Sequence, residues 1–267
     1  MHISFSKYEG AGNDFILIDN RLQEFIPTPE QVRALCDRKL GIGADGLIAL
    51  EVGIRAPFRM RIFNADGFEA EMCGNGLRCL KRFLEAKGVV STPVFVETKE
   101  RVLHVENEGQ NVKTSMGDPK DLRLDISLER DQIVHFVNTG VPHAVQFVED
   151  LETLDIETRG PFIRRHPKFG PKGANANFVK VHLGTLAIRT FERGVEGETL
   201  ACGTGAVASA IIAALKYRLD LPIRVVPKSL ETLTVDFQLE GDRIFNVTQT
   251  GPAQFIFQGS FYICPQK

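Results

Sequence analysis

Two cysteines occupy matching positions in the sequence. Cys73 and Cys202 each complete the pattern Glu-x-x-x-Cys-Gly-x-Gly, and they lie about half a chain length apart. Each pattern leads into an apolar stretch with helical spacing, so both cysteines are predicted at helix N-termini. The first N–H groups of a helix lack intrahelical partners and carry partial positive charge, so they bind anions and favour a thiolate. A small buried cysteine beside a tight turn would explain one such segment, but the matched pair favours a shared chemical role.

The chemistry that fits two such cysteines is proton transfer at a carbon atom next to a carboxylate. Glycine beside each cysteine removes a Cβ and lets backbone N–H groups approach a ligand. Two helix ends could hold one carboxylate, with a thiol on either side of the adjacent carbon. One thiolate would remove an α-proton while the other thiol returns a proton to the opposite face, and the N–H donors would stabilise the charge that develops. This scheme requires no cofactor.

Three helices are predicted, and two of them follow the cysteines. The first begins after the N-cap Thr28, the second covers about residues 74–88, and the third covers about residues 203–215. The third is apolar on almost every side, which is typical of a helix buried inside a sheet layer or barrel. The second and third helices must therefore position the two cysteines.

Much of the remaining chain alternates apolar and polar residues at the period of half-buried strands. The clearest runs are residues 233–239 and 255–263, and residues 94–98, 102–107 and 133–138 show the same pattern less regularly. Short turns such as Glu240-Gly241-Asp242 favour antiparallel pairing, because a parallel crossover needs a dozen residues or more. The polar stretch 158–176 contains three prolines and is predicted to be a surface loop. These elements indicate an α+β fold of mostly antiparallel sheets around isolated buried helices.

Composition limits the possible functions. With 267 residues, one large or two modest domains are expected, and a formal net charge of −2 leaves no excess of positive charge for a nucleic-acid backbone or an anionic membrane. The five cysteines include no Cys-x-x-Cys pair, so neither a disulfide framework nor a metal knuckle is indicated. The longest uncharged stretch, residues 199–215, is shorter than the roughly 20 apolar residues of a membrane span. No signal peptide is recognised, and we expect a cytoplasmic protein with reduced thiols.

Other motif-like features are assigned to structure. Residues 41–46 match the Gly-x-Gly-x-x-Gly dinucleotide fingerprint, but a helix precedes them and a strand follows, the reverse of the order that nucleotide binding requires. Cys79 lies about 240° around its helix from Cys73 and should pack in the interior. Cys36 and Cys264 have no matching motif and are interpreted as structural.

Six motifs, in order along the chain, resemble those of diaminopimelate epimerases. They are Gly10-Ala-Gly-Asn-Asp-Phe15, Gly41-Ile-Gly-Ala-Asp45, Phe63-Asn-Ala-Asp-Gly67, Glu71-Met-Cys-Gly-Asn-Gly76, Pro142-His-Ala-Val145, and Glu192-Arg-Gly194 followed by Ala201-Cys-Gly-Thr-Gly205. The resemblance implies two pseudo-twofold-related domains, each a mostly antiparallel β-barrel-like sheet around a central helix. The expected halves are residues 1–116, completed by the C-terminal strand 251–267, and residues 117–250. It also implies a homodimer that uses neither pyridoxal nor metal to interconvert LL- and meso-2,6-diaminoheptanedioate for lysine and peptidoglycan synthesis.

The resemblance also implies a role for each matching residue. Cys73 and Cys202 are the acid/base pair, and the substrate isomer decides which of them acts as the base. The positions that bind the reacting carboxylate through their backbone are Gly74, Asn75, Gly203 and Thr204. The other substrate-binding positions are Asn13, Asn64, Asn175, Glu192 and Arg193, and the residues that adjust the pKa of the thiols are His143 and Glu192. Outside this context Asn13 and Asn64 would be interpreted as turn residues, Arg193 as a solvated charge and His143 as a core histidine.

Two other functions stay open at this stage. Proline racemases and hydroxyproline epimerases share the fold and the paired cysteines, but they typically carry Asp-Arg-Ser-Pro before the second Cys-Gly-Thr-Gly, where this chain has Glu198-Thr-Leu-Ala. The other alternative is a thiol redox protein, in which one cysteine is oxidised and the second resolves it. That function would leave Arg193 and the asparagines without a role.

The chain departs from the family pattern at two substrate-binding positions. Gly46 stands where the family usually has glutamine, and Val141 stands where it usually has asparagine. Two hydrogen-bonding groups would be absent, and Gly46 would leave extra room. A pocket without those groups rejects analogues less strongly, so we expect a looser specificity toward other α-amino dicarboxylates.

Overall fold

The structure is a computed structural model that describes residues 2–129 and 132–262. The helices in these ranges are α1 (Pro29–Cys36), α2 (Gly74–Ala86), α3 (Ile156–Arg164) and α4 (Gly203–Tyr217), with a 3₁₀ turn at Pro167–Phe169. The strands are β1 (His2–Gly10), β2 (Asn13–Asp19), β3 (Gly46–Val52), β4 (Phe58–Asn64), β5 (Val94–Glu97), β6 (Val102–Glu108), β7 (Asn111–Ser115), β8 (Lys120–Ser127), β9 (Ile133–Asn138), β10 (Pro142–Phe147), β11 (Asn175–His182), β12 (Thr185–Glu192), β13 (Gly197–Thr199), β14 (Ile223–Val226), β15 (Leu233–Glu240), β16 (Arg243–Gly251) and β17 (Gln254–Tyr262). Cys264 and the last residue of the strand predicted over 255–263 lie outside the described residues.

The chain divides into two compact units, residues 1–114 with 252–267 and residues 115–251. In the first unit the successive pairings are β1–β2 antiparallel, β2–β3 parallel, β3–β4 antiparallel, β4–β5 parallel and β5–β6 antiparallel. In the second unit they are β9–β10 antiparallel, β10–β11 parallel, β11–β12 antiparallel, β12–β14 parallel and β14–β15 antiparallel. The internal repeat seen in the sequence therefore extends to the order of the strand pairings. The prediction of a mostly antiparallel α+β fold is confirmed.

Helices occupy the parallel crossovers of both units. The chain passes through α1 and α2 between the parallel strands of the first unit, and through α3 and α4 in the second. A parallel connection needs this length of chain, so the helices that follow the two cysteines are a consequence of the topology. None of the helices within the described residues is long and apolar enough to cross a membrane.

The helices that follow the cysteines are buried along most of their length. In α2 the apolar stripe of Leu77, Leu80 and Leu84 is inaccessible to solvent, and the helix packs on β1, β2 and β17 of the same unit. In α4 the residues from Gly203 to Ala213 are all buried, as the uninterrupted apolar sequence predicted. Both helices are thereby held rigidly from the N-terminal turn onward.

The stretch 158–176 is not a surface loop throughout, so that prediction is wrong for its first part. Asp155 caps α3 by accepting a hydrogen bond from the Thr158 N–H at 3.1 Å. Ile156 and Ile163 join a buried apolar cluster of the second unit, which also contains Phe169 from the 3₁₀ turn. Burial of these side chains outweighs the cost of Pro161 within the helix, so counting the prolines in the sequence misled the prediction.

The last strand is present, but it is not half-buried as its alternating pattern suggested. Along β17 the side chains of Phe255 and Phe257 are 52% and 43% exposed, and Ile256 between them is 51% exposed. β17 pairs antiparallel with β1, and Phe5 of β1 contacts the edge of the Phe257 ring. Period-two patterning therefore identified the strand correctly but not the degree to which its faces are covered.

Candidate active site

Cys73 is the N-cap residue of α2. Its backbone is extended, and its Sγ accepts a hydrogen bond from the Gly76 N–H at 3.4 Å. A Cβ at Gly76 would lie 2.9 Å from Ile48 Cδ1 and 3.1 Å from Ile62 Cδ1, so a larger residue would require these side chains of β3 and β4 to shift. The glycine of the motif thus positions the N–H group that the Cys73 sulfur caps.

Asn13 connects the Cys73 sulfur to a charged network. Its Nδ2 donates to Asp45 Oδ2 at 2.6 Å, and since a carboxylate only accepts hydrogen bonds, this contact fixes the orientation of the amide. The Asn13 Oδ1 then faces the Cys73 Sγ at 3.9 Å. The structure therefore brings Asn13 and Cys73 together and presents an acceptor to the thiol.

Four charged side chains complete this network. Arg38 donates to both oxygens of Asp14 and to Asp45, and Lys7 pairs with Asp14 at 2.8 Å. Burial alone would raise the pKa of the Asp14 carboxyl, but the hydrogen bonds from Arg38 and Lys7 outweigh it and hold that pKa well below its usual value. Asp14 and Asp45 are therefore fixed acceptors in this part of the first unit.

Asn64 and Gly46 lie opposite each other on β4 and β3. The side-chain amide of Asn64 is half-buried and has no hydrogen-bond partner among the described residues, so it is available to a ligand. A Cβ at Gly46 would lie 2.6 Å from the Phe63 carbonyl oxygen. Glycine at this position accommodates a close backbone approach and does not provide the extra room that the sequence suggested.

Asn75, the variable residue of the first motif, directs its side chain away from the cysteine. Its Oδ1 accepts a hydrogen bond from an Arg78 guanidinium nitrogen at 2.7 Å, and Arg78 Nε donates to the Pro252 carbonyl at 3.0 Å. Complete burial lowers the pKa of Arg78 to about 10. The Asn75 side chain is thus engaged internally, and only its backbone N–H belongs to the open end of α2. No sequence motif pointed to this role of Arg78.

Cys202 is the N-cap residue of α4, but its sulfur has a different neighbour. No side-chain capping hydrogen bond forms, and Cys202 Sγ lies 3.6 Å from the Thr204 hydroxyl oxygen. A Cβ at Gly205 would lie 2.4 Å from Asn177 Oδ1 and 3.3 Å from Cys202 Sγ. Glycine is therefore required at the start of α4 as it is in α2, but here it makes room for a buried amide.

His143, from β10, is fully buried beside Thr204. Its Nε2 lies 2.9 Å from Thr204 Oγ1, and its Nδ1 lies 3.0 Å from Asn177 Nδ2. Burial and the nearby positive charge of Arg193 lower the pKa of His143 to about 3. His143 is therefore neutral at neutral pH, and it contacts Thr204 rather than a cysteine.

Asn175 and Arg193 are joined at the ends of β11 and β12. The Asn175 amide donates to the Pro142 carbonyl at 3.1 Å and accepts from the Arg193 backbone N–H at 2.8 Å. The Arg193 guanidinium is half-buried and has no hydrogen-bond or ion-pair partner among the described residues. Asn175 is thus engaged with the backbone, whereas Arg193 offers an unoccupied two-pronged donor.

Glu192 and Val141 lie close to these residues in the chain. Glu192 Oε1 accepts a hydrogen bond from the Thr199 hydroxyl at 2.6 Å. Val141 is half-buried immediately before β10, and its carbonyl accepts from the Thr139 N–H at 3.2 Å. Within residues 2–129 and 132–262, no group of three or more His, Cys, Asp or Glu side chains is arranged to hold a metal ion.

The other two cysteines of the described chain lie outside both Cys-Gly-x-Gly motifs. Cys79 is fully buried, and burial raises the pKa of its thiol. Burial raises the pKa of Cys36 to about 12. Both thiols remain protonated at neutral pH, in keeping with a packing role.

Comparison with known proteins decides the family. The profile of the family "Diaminopimelate epimerase" matches residues 5–122 and 135–256. The diaminopimelate epimerase of Chlorobaculum tepidum is 45% identical over 259 residues, which cover 94% of this chain and 98% of that protein. This chain belongs to the diaminopimelate epimerase family. The resemblance inferred from the six motifs is confirmed.

Solved structures show that the fold extends beyond the diaminopimelate epimerase family. A phenazine biosynthesis protein of the PhzF family from Bacillus anthracis superposes with a TM-score of 0.76 at 16% identity, over 98% of this chain and all of that one. A probable proline racemase from Agrobacterium radiobacter has the same TM-score at 15% identity, over 98% and 94%. At these identities the likeness shows the fold alone, so neither structure favours the racemase alternative over diaminopimelate epimerase.

Proposed function

We propose that this protein interconverts LL- and meso-2,6-diaminoheptanedioate by cofactor-independent proton transfer at the α-carbon. The observation that carries the proposal is the pair of buried helices that each begin at a cysteine, in a chain that belongs to the diaminopimelate epimerase family. Cys73 and Cys202 act as base and acid in one direction and exchange roles in the other. The product would serve lysine and peptidoglycan synthesis.

The open ends of α2 and α4 would bind the reacting carboxylate. The first N–H groups of a helix have no partner within it, and those of Gly74, Asn75, Gly203 and Thr204 have no acceptor among the described residues. These donors are held rigidly because both helices are buried. As the α-carbon loses its proton, charge moves into the carboxylate, where fixed N–H dipoles stabilise it more than in the ground state.

The remaining polar groups would bind the rest of the substrate. The Arg193 guanidinium suits the distal carboxylate, since it can donate two parallel hydrogen bonds and has no protein partner among the described residues. The free amide of Asn64 can accept from an ammonium group or donate to a carboxylate. Glu192 supplies a carboxylate for the cationic end of the substrate, and Asn175 holds the Arg193 backbone in position. Asn13 faces Cys73 and would contact the substrate near that thiol.

His143 and Glu192 would adjust the protonation of the thiols rather than transfer protons themselves. His143 is neutral and touches Thr204, the neighbour of the Cys202 sulfur. A neutral imidazole in this position acts through its hydrogen bond, so its effect on Cys202 does not change across the neutral pH range.

We also propose a cytoplasmic homodimer. The apolar side chains of β17 support self-association, because Phe255, Ile256 and Phe257 are each about half exposed and Tyr262 is 79% exposed. Light scattering of the wild type and of Ile256→Lys tests this, with a dimer expected for the first and a monomer for the second. A monomeric wild type would exclude the dimer.

The direct test of the function is chiral chromatography of purified protein with LL-2,6-diaminoheptanedioate, glutamate, aspartate and proline. Conversion of the LL isomer to an equilibrium mixture with the meso isomer is expected, with slower reaction of the other dicarboxylates. Cys36→Ala is the matched control, since Cys36 is buried outside both motifs, and it should retain activity. Proline turnover without diaminoheptanedioate turnover would support the racemase alternative. If none of the four amino acids reacts and peroxide reversibly oxidises Cys73 or Cys202, the redox alternative would be supported.

A further inference from the structure

Asn177, which no motif singled out, has three close polar neighbours in the interior of the second unit. It is fully buried on β11, two residues after Asn175 and therefore on the same face of the strand. Its Oδ1 accepts from the Thr190 hydroxyl at 3.0 Å. Its Nδ2 donates to the Ala144 carbonyl at 3.2 Å and lies 3.0 Å from His143 Nδ1.

These contacts permit only one orientation of the Asn177 amide. The Ala144 carbonyl can only accept, so the atom that faces it must be the NH₂ group. The same group then faces His143 Nδ1, which must be the unprotonated nitrogen of the neutral ring. The proton of His143 is therefore on Nε2, which points at Thr204 Oγ1. The tautomer follows from the hydrogen-bond network, since the positions of hydrogens are fixed here by their acceptors.

The Thr204 hydroxyl connects the His143 tautomer to Cys202. It accepts from His143 Nε2–H, so its own hydrogen is free to donate, and the Cys202 sulfur lies 3.6 Å away. A thiolate accepts this hydrogen bond more strongly than a thiol does. With the other histidine tautomer, the Thr204 hydroxyl would donate its hydrogen to His143 Nε2. That hydrogen would then not be available to the Cys202 sulfur.

We propose that Asn177 is a positioning residue that fixes the His143 tautomer and thereby makes the Thr204 hydroxyl a hydrogen-bond donor to the Cys202 thiolate. The inference deepens the proposed function, since it concerns the state of Cys202 that removes the substrate proton. In that step the substrate Cα–H bond breaks, its electron pair stays on the substrate, and the proton forms the Cys202 S–H bond. Asn177 takes no part in the transfer and touches no reacting atom.

The test measures the alkylation of Cys202 by iodoacetamide as a function of pH, read by peptide mass spectrometry. Only the thiolate reacts, so the midpoint of the profile reports the protonation of each cysteine separately. Asn177→Leu removes the amide while retaining similar volume, and Thr190→Val removes only the hydroxyl that holds the far end of the amide. Ser209→Ala is the matched control, because Ser209 is buried on α4 with an unpartnered Oγ. Cys73 in the same sample is the internal reference.

In Asn177→Leu the Cys202 thiolate fraction at neutral pH should fall on the order of 10-fold, since a hydrogen bond to a charged group is lost. Thr190→Val should give a smaller shift in the same direction, and it decides the question if Asn177→Leu does not fold. The Cys73 profile and the Ser209→Ala control should stay at the wild-type midpoints. An unmoved Cys202 profile in a folded variant would overturn the proposal, as would equal shifts at both cysteines.

Nitrogen-15 NMR of the labelled histidines gives an independent readout. The His143 resonances should show an unprotonated Nδ1 and a protonated Nε2 in the wild type, and a mixture of tautomers in Asn177→Leu. A protonated Nδ1 in the wild type would contradict the proposal. Neither measurement requires turnover, so an inactive wild type would count against the proposed function alone, while an active enzyme with an unmoved Cys202 profile would count against this inference alone.

Discussion

The two cysteine-bearing helix ends share a backbone design but differ in what surrounds the sulfur. In α2 the Cys73 sulfur accepts a hydrogen bond from the Gly76 N–H, and the acceptor Asn13 Oδ1 faces the thiol. In α4 the Cys202 sulfur lies beside the Thr204 hydroxyl instead. The repeat therefore preserves the start of each helix, while its variable residue and residues outside the repeat make the hydrogen bonding of the two thiols different.

The variable residue of the motif shows this divergence most clearly. In Cys-Gly-Asn-Gly the Asn75 side chain turns inward to Arg78, whereas in Cys-Gly-Thr-Gly the Thr204 side chain turns to Cys202 and His143. The surroundings differ in charge as well. Partly exposed ion pairs of Arg38 with Asp14 and Asp45 connect to Asn13. The side chains that are hydrogen-bonded beside Cys202, namely Thr204, His143 and Asn177, are uncharged and buried. The proposed acid/base pair therefore does not require two identical thiol environments.

The largest effects should come from the two sulfurs themselves. Cys73→Ser and Cys202→Ser should each lower kcat by about 10²–10⁴-fold, because a hydroxyl is a far weaker acid and base at neutral pH. Steady-state rates measured from both substrate isomers check this. If one variant retained a wild-type rate in either direction, the two cysteines would not both be required.

The next largest effect should come from Arg193, which has no counterpart with a matching role in the first unit. Arg193→Ala should lower kcat/KM about 10–100-fold, since hydrogen bonds to a charged carboxylate are lost. Arg193→Lys should recover only part of this, because an ammonium lacks the two-pronged geometry. Arg165→Ala, a change at an exposed guanidinium paired with Glu196, is the control and should have wild-type kinetics. If Arg193→Ala had the same kcat/KM as the control Arg165→Ala, Arg193 would be excluded from substrate binding.

Acid should destabilise the two units in different pH ranges. The pKa of His143 is lowered from 6.5 to about 3, so the unfolded chain binds a proton that the folded state does not, and stability is lost as the pH falls below about 6.5. The pKa of His135, in the same unit, is also lowered by burial and adds in the same direction. The pKa of Asp14 is lowered from 3.8, so its stabilising effect is complete at about pH 4 and above and is lost only at lower pH.

Hydrogen exchange between pH 6.5 and 4.5, corrected for intrinsic rates, separates these contributions. Amides of β10 and α4 should lose protection before those of α2. Each buried histidine contributes at most about 1.4 kcal/mol per pH unit to this loss. His143→Gln should flatten the part of the loss that this residue causes. Earlier loss of protection in α2 than in α4 would contradict the assignment.

The smallest effect should come from Ser209, which lies where the repeat places Leu80 in α2. Ser209 Oγ is buried without a hydrogen-bond partner among the described residues. Ser209→Ala should therefore leave the denaturant midpoint unchanged or raise the unfolding free energy by up to about 1 kcal/mol. A loss of more than 1 kcal/mol would indicate a partner for the hydroxyl.

The sequence predicted the parts of the molecule that depend on local pattern. The capped start of α1 at Thr28, the apolar stripe of α2 and the apolar surface of α4 are encoded within a few residues, and the structure contains all three helices. The six motifs also identified the family. The first part of the stretch 158–176 was predicted wrongly, because the prediction relied on its prolines, which are a local signal. The packing of Ile163 in the core depends on residues that are distant in the sequence.

Contacts between distant parts of the chain could not be anticipated in this way. The roles of Asn177 and Arg78 depend on partners that the topology brings near. Neither residue is part of the six sequence motifs. Likewise, the approach of the Phe63 carbonyl to Gly46 depends on strand pairing, which composition does not report. The roles assigned to the substrate-binding residues stay predictions.

The most direct test of the two-cysteine account follows the reaction of LL-2,6-diaminoheptanedioate in D₂O at early conversion. Two thiols that act on opposite faces deliver a solvent-derived proton to the product only, because the abstracted proton stays on the other sulfur. The account therefore predicts one α-deuterium in each meso product molecule and none in the recovered LL substrate. Deuterium entering the recovered substrate as fast as the product, or product that retains the original proton, would contradict it.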